Sequence, residues 1–73
     1  MHKSMDNQAD WDLYRYFFAV LQAGSLSAAA RQLLTTQSTV SRQIAKLESN
    51  LGVSLFTRSP EGLEPTPAAL QLL

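Results

Sequence analysis

Seventy-three residues hold one small domain and leave no room for a second. The absence of cysteine excludes a disulfide framework or a thiolate metal site and suits a reducing cytoplasm, while 45% apolar content is that of a folded chain. Net charge is zero, yet between residues 31 and 58 the cations Arg31, Arg42, Lys46 and Arg58 are offset by Glu48 alone, so positive potential gathers in the middle third.

The start, Met1 to Asp10, is polar and lacks the apolar core of a signal peptide. Residues 1–11 are therefore expected to form a flexible tail, and His2 within it is expected to carry no function. The longest unbroken apolar run after it, Phe17 to Leu21, falls far short of the ~20 residues that span a bilayer. Leu13, Tyr16, Phe17, Val20 and Leu21 recur at helical spacing and predict a first helix from Asp12 to Ala23, capped by Asp10 or Asp12 and closed by Gly24. Its aromatic residues, Trp11, Tyr14, Tyr16, Phe17 and Phe18, read as core rather than as a base-stacking platform, because the best-placed rings lie on the stripe that must be buried.

Ser27 is the expected cap of a second helix, with Leu26 packing down before it. Ala28 to Leu34 is a run of strong helix formers only two turns long, and its alanines allow another helix to approach closely. Thr35 to Thr39 has poor helix propensity but good caps, so a short turn should feed a third helix capped by Thr36. On that helix Val40, Ile44, Leu47 and Leu51 share one face, and Gly52 closes it. At about 100° per residue, Ser38, Arg42, Ala45 and Ser49 fall opposite, with Ser41 and Lys46 on the flanks. The outer face is small, polar and basic, with nothing bulky to hold another surface away.

Beyond Gly52 the period changes. Val53 to Arg58 is β-rich, Ser59 to Gly62 supplies a turn, and Leu63 and Glu64 return before Pro65, which predicts a short hairpin. Thr66 caps a fourth helix with Pro67 at its first position. Ala68, Ala69, Leu70, Leu72 and Leu73 give that helix almost no polar face, so it needs something to pack on and reads as the start of a longer element. The expected architecture is mainly α with a small β-hairpin: a winged helix-turn-helix over residues 12–65, with a three-helix core and a two-stranded wing, followed at 66–73 by the start of a linker or dimerisation helix.

The run from Leu13 to Leu73 resembles the N-terminal DNA-binding head of LysR-type bacterial transcription regulators. The residues that carry the likeness are Tyr16, Phe17 and Val20; Gly24 to Ser27 with Ala29, Ala30 and Leu33; Gln37 with Val40 to Ile44, Leu47 and Glu48; Leu51 to Val53 with Leu55, Phe56 and Arg58; and Thr66. The resemblance implies a sequence-specific regulator in the bacterial cytoplasm, on the nucleoid when bound, that places a recognition helix of about 36–51 in the major groove of double-stranded DNA. The operator it implies is an AT-rich interrupted palindrome, read by a homodimer joined through the fourth helix of the full-length protein. It implies no cofactor in this segment, since a small-molecule effector would bind a C-terminal domain that these residues do not include.

Carried over residue by residue, the likeness gives a DNA-facing set of Ser27, Arg31, Thr36, Gln37, Ser38, Ser41, Arg42, Lys46 and Arg58. Gln37 is the expected base reader, since a carboxamide pairs bidentately with adenine, and Arg42 the expected holder of a phosphate or groove edge. Lys46 and Arg31 would add charge without sequence choice. Each has a plainer reading: Arg42 and Lys46 as solvated charges, Gln37 and Ser38 as turn and cap residues, and Arg58 as the partner of Glu61 or Glu64 across the hairpin. Glu48 reads as a structural acid, since a carboxylate facing phosphates would be repelled. The family often has proline where Ser38 stands, basic residues where Glu61 and Glu64 stand and glycine where Ala69 stands, so an acidic wing is expected to contact DNA weakly.

An enzyme is not expected, for want of a nucleophile and base pair, a phosphate loop or paired carboxylates. The alternative from another class is a winged domain used for protein contact, which zero net charge and an acidic wing would suit.

Overall fold

Apolar residues at spacings of three and four wind the chain into three helices before Gly52, and the β-rich run beyond it folds back as a hairpin. The computed structural model describes residues 3–72, with side chains from residue 11 onward. The elements in order are α1 (Lys3–Ala23), α2 (Leu26–Gln32), α3 (Gln37–Leu51), β1 (Phe56–Ser59), β2 (Gly62–Pro65) and α4 (Pro67–Gln71). β1 and β2 are antiparallel, with Arg58 opposite Leu63 and Thr57 opposite Glu64. This is the expected winged helix-turn-helix.

The core lies where the three helices meet, under the wing. Phe17, Leu47, Leu55, Val20 and Val40 are its largest fully buried side chains, each contributing about 1.5–3 kcal/mol by leaving water. Ala29 and Ala30 are also buried, so their small side chains let α2 sit close to its neighbours. The Phe17 ring meets that of Phe56 on the wing at 5.6 Å, which ties the first helix to the hairpin. Leu51, on the buried stripe of α3 by spacing, is the last residue of the helix and is 36% exposed.

Four expectations about boundaries need correction. α1 starts at Lys3 rather than Asp12, so residues 3–11 are helix and not tail. No proline or glycine interrupts that run, and an aspartate able to cap does not by itself stop a helix that can continue. Met1, His2 and Leu73 lie outside the described residues. The cap of α2 is Ser25, not Ser27: Ser25 is the extended residue (φ −156°, ψ 159°), and its Oγ accepts the Ala28 N–H at 3.1 Å. Ser27 is already inside the helix. α2 also stops at Gln32, two residues short of Leu34. Finally, the strand begins at Phe56 rather than Val53, with only Pro60 and Glu61 between the paired strands.

Other punctuation falls where the residues predict. Thr36 (φ −97°, ψ 156°) accepts the Thr39 N–H at 3.1 Å. Gly52 closes α3 at φ 72°, a left-handed conformation that glycine adopts without a Cβ penalty. Thr66 accepts the Ala69 N–H at 3.2 Å with Pro67 at the first helical position, and donates its own hydroxyl to the Ser54 carbonyl at 2.6 Å.

Leu34 is a strain point in the turn between α2 and α3. Its φ is 58°, and its side chain is 93% exposed. A left-handed backbone costs a non-glycine residue about 1–2 kcal/mol, and no buried contact compensates. Asparagine tolerates this region better. Leu34→Asn is expected to raise the melting temperature by roughly 2–8 °C, corresponding to about 0.5–1 kcal/mol in a domain of this size. An unchanged or lower melting point in a thermal scan would show that the turn carries no releasable strain.

Candidate nucleic-acid interface

The outer face of α3 is assembled by the helix that buries Val40, Ile44 and Leu47 on the other side. That burial fixes the rotation of α3, and Ser38, Ser41, Arg42, Ala45, Lys46 and Ser49 are all left exposed. Thr36 stands at the N-terminus as cap, where its hydroxyl lies 2.9 Å from that of Thr39, and Gln37 is the first helical residue, also exposed. Thr36 therefore has a structural duty at its side chain, while Gln37, Ser38, Ser41 and Arg42 present theirs outward.

The wing completes a cleft beside this helix. Ser25, Ser27, Gln37, Arg58, Ser59 and Gly62 line it, so Ser27, Gln37 and Arg58 converge although they lie on α2, α3 and β1. Arg58 also lines the groove between α3 and the wing that holds Ser41, Ala45 and Glu48. Its cross-strand neighbour is Leu63, not an acid, and Glu64 stands opposite Thr57. Lys46 is on the α1 flank of α3, away from the wing. Arg31, exposed in the last turn of α2, lines neither cleft and also complements the negative end of that helix.

Two further contacts fix the wing against the helices. Glu48 accepts the Leu55 N–H on Oε2 at 2.7 Å, and its backbone carbonyl accepts the Gly52 N–H at 2.8 Å. It is structural, as its sign requires, but as the brace that sets where the wing leaves α3 rather than as a plain surface acid. At the other end Gly62 has φ 133°, and a Cβ there would lie 3.2 Å from the Gly24 carbonyl oxygen. The turn of the wing rests on the corner between α1 and α2, and a side chain at Gly62 would be strained by its positive φ and would press on that carbonyl.

Ser25 and Ser59, which also line this cleft, are outside the DNA-facing set expected from sequence. Ser59 donates its hydroxyl to the Gly62 carbonyl at 3.1 Å inside the cleft. Ser25 is marked locally as a helix cap, but its place in the cleft, like that of Ser59, depends on the hairpin folding back onto α2. Glu61 is exposed beside Pro60 in the two-residue turn, the outermost charge of the wing. Among the described residues, no group of His, Cys, Asp and Glu could hold a metal ion, and no helix is long and apolar enough to cross a membrane.

Residues 11–70 match the family described as bacterial regulatory helix-turn-helix protein, lysR family. The chain is 49% identical over 59 residues to the HTH-type transcriptional regulator TfdS of Cupriavidus pinatubonensis, covering 81% of this chain and 20% of that protein. It is 48% identical over 59 residues to ClcR of Pseudomonas putida, with the same shares covered. The chain thus spans about a fifth of the length of these relatives. Among solved structures, a CbnR_DBD–DNA complex superposes with a TM-score of 0.80 at 42% identity, covering 85% of this chain and 71% of that one. A BenM_DBD complex with benA site 1 DNA superposes with a TM-score of 0.79 at 36% identity, covering 84% and 68%.

Proposed function

The chain belongs to the lysR family of bacterial regulatory helix-turn-helix proteins, and from that premise we propose that it reads double-stranded DNA as the head of a sequence-specific transcription regulator. The observation that carries this is the exposed face of α3, small, polar and basic from Gln37 to Lys46, flanked by the cleft where Ser27, Gln37 and Arg58 meet. A major groove about 12 Å wide admits a helix with such a face. Solved relatives of the same fold in DNA complexes support the reading.

In this reading the first turn of α3 specifies. Gln37 pairs with a base edge, and Ser38, Ser41 and Arg42 meet bases and phosphates around it, with Thr36 holding the helix end. Ser27 and Arg58 take backbone in the cleft, and Lys46 and Arg31 add charge that is indifferent to sequence. The whole protein acts as a homodimer through a longer fourth helix, and its two heads read an AT-rich interrupted palindrome. The domain needs no cofactor and catalyses nothing; a small-molecule effector belongs to a C-terminal domain of the whole protein, which works in the bacterial cytoplasm. Titrating this chain against AT-rich duplex at two salt concentrations tests the reading. Binding that weakens steeply with salt supports it, and no binding at low salt favours the alternative of a protein-contact module, to which the neutral net charge and acidic wing tip point.

The wing should contribute little. Glu61 at its tip is repelled by the negative potential of the minor groove. Glu61→Arg is expected to tighten binding and to make the slope of log affinity against log salt more negative by about 0.9, one added phosphate contact. If affinity and slope stay as they are, the wing tip does not approach DNA and its acidity is irrelevant.

A further inference from the structure

When the cations near α3 are assigned to DNA, Arg15 is left over. It is exposed on α1 and lines a cleft with Asp12, Leu13 and Tyr16 of the same helix and with Gln43 and Lys46 of α3. The opposite flank of α3 carries the groove to the wing, which holds Arg58. The recognition helix is therefore bordered by cations on both sides, Arg58 on one and Arg15 with Lys46 on the other. A helix seated in the major groove is bounded by two phosphate backbones, one along each flank. Arg15 is also pre-positioned, because its Cζ lies 6.0 Å from the centroid of the Tyr16 ring, an aromatic face that holds a guanidinium in place. The acid lining this cleft is Asp12, which leaves the two cations in excess.

We propose that Arg15 is a phosphate contact on the α1 flank of α3, acting with Lys46 on the backbone opposite to the one that Arg58 meets. The proposal rests on the reading of α3 as the DNA-facing helix and extends the interface to α1. It assigns Arg15 affinity without sequence choice, since a phosphate carries no base identity.

The test is equilibrium binding of this chain to a duplex carrying a selected site and to a scrambled duplex, across a salt series. Arg15→Gln should weaken binding to both duplexes by the same factor, about 3–10-fold, and make the log–log salt slope less negative by about 0.9. Arg15→Lys should keep the slope. Asp12→Asn, which leaves Arg15 in place, should tighten binding to both duplexes, so the proposal stays testable if Arg15→Gln disturbs the fold in a melting scan. Unchanged affinity and slope in Arg15→Gln and Asp12→Asn, beside a clear loss in Arg42→Gln, overturns the role of Arg15 and leaves α3 as the reader. Failure of the unaltered chain to bind either duplex at low salt overturns both.

Discussion

Phe17→Ala should strip this domain of a large share of its stability, whereas Phe18→Ala at the next position should cost far less. Phe17 is 0% exposed, and it packs against Phe18 at 5.3 Å and Phe56 at 5.6 Å, so it joins α1 to the wing. Truncating such a ring removes about 3–5 kcal/mol. Total stability at roughly 0.05–0.15 kcal/mol per residue is only about 4–11 kcal/mol for a chain of this length. Phe18 is 44% exposed and loses mainly one ring contact, about 0.5–1.5 kcal/mol. In melting temperature the contrast is roughly 12 °C or more for Phe17 against a few degrees for Phe18. Equal losses in a thermal scan would mean that the core is not organised around Phe17.

Gln37 and Arg42 should separate specificity from affinity. Gln37→Ala removes a neutral side chain at the exposed start of α3, so non-specific binding and the salt slope should hold while preference for the selected site falls. A bidentate carboxamide is worth about 1–3 kcal/mol of discrimination, or roughly 5–150-fold. Arg42→Ala, one turn beyond Ser38 on the exposed side of α3, removes a charge and should weaken specific and scrambled duplex together, with the slope less negative by about 0.9. The two readouts come from the same titrations. Should Gln37→Ala shift both duplexes equally, its side chain serves the turn or the helix end and another residue reads the base.

Much of this was legible in the residues because the decisive signals are local. The stripe Val40, Ile44, Leu47 set the rotation of α3, and with it the identity of the outer face, before any tertiary contact was known. Thr36, Gly52 and Thr66 with Pro67 act within one turn of themselves, so they too could be placed. Helix starts were less legible. Ser25 and Ser27 are both competent caps, and the choice depends on how the chain leaves α1. The extra turns from Lys3 show the same weakness, since cap-competent aspartates mark only permitted starts.

The site was legible as a set of residues and not as an arrangement. That Ser27, Gln37 and Arg58 share a cleft follows from the hairpin folding back over the corner at Gly24, with Gly62 against its carbonyl. The brace from Glu48 to Leu55 crosses the end of α3 and belongs to no helix or hairpin rule. Arg15 was passed over because its helix reads as core, and its neighbours in the cleft come from α3.

Selection of bound sequences from random duplex DNA by the whole protein tests the central claim, that the first turn of α3 reads bases in the major groove. The account predicts enrichment of a short AT-rich half-site, repeated in inverted orientation at a fixed spacing. Recovery of sequences no different from the starting pool would contradict it.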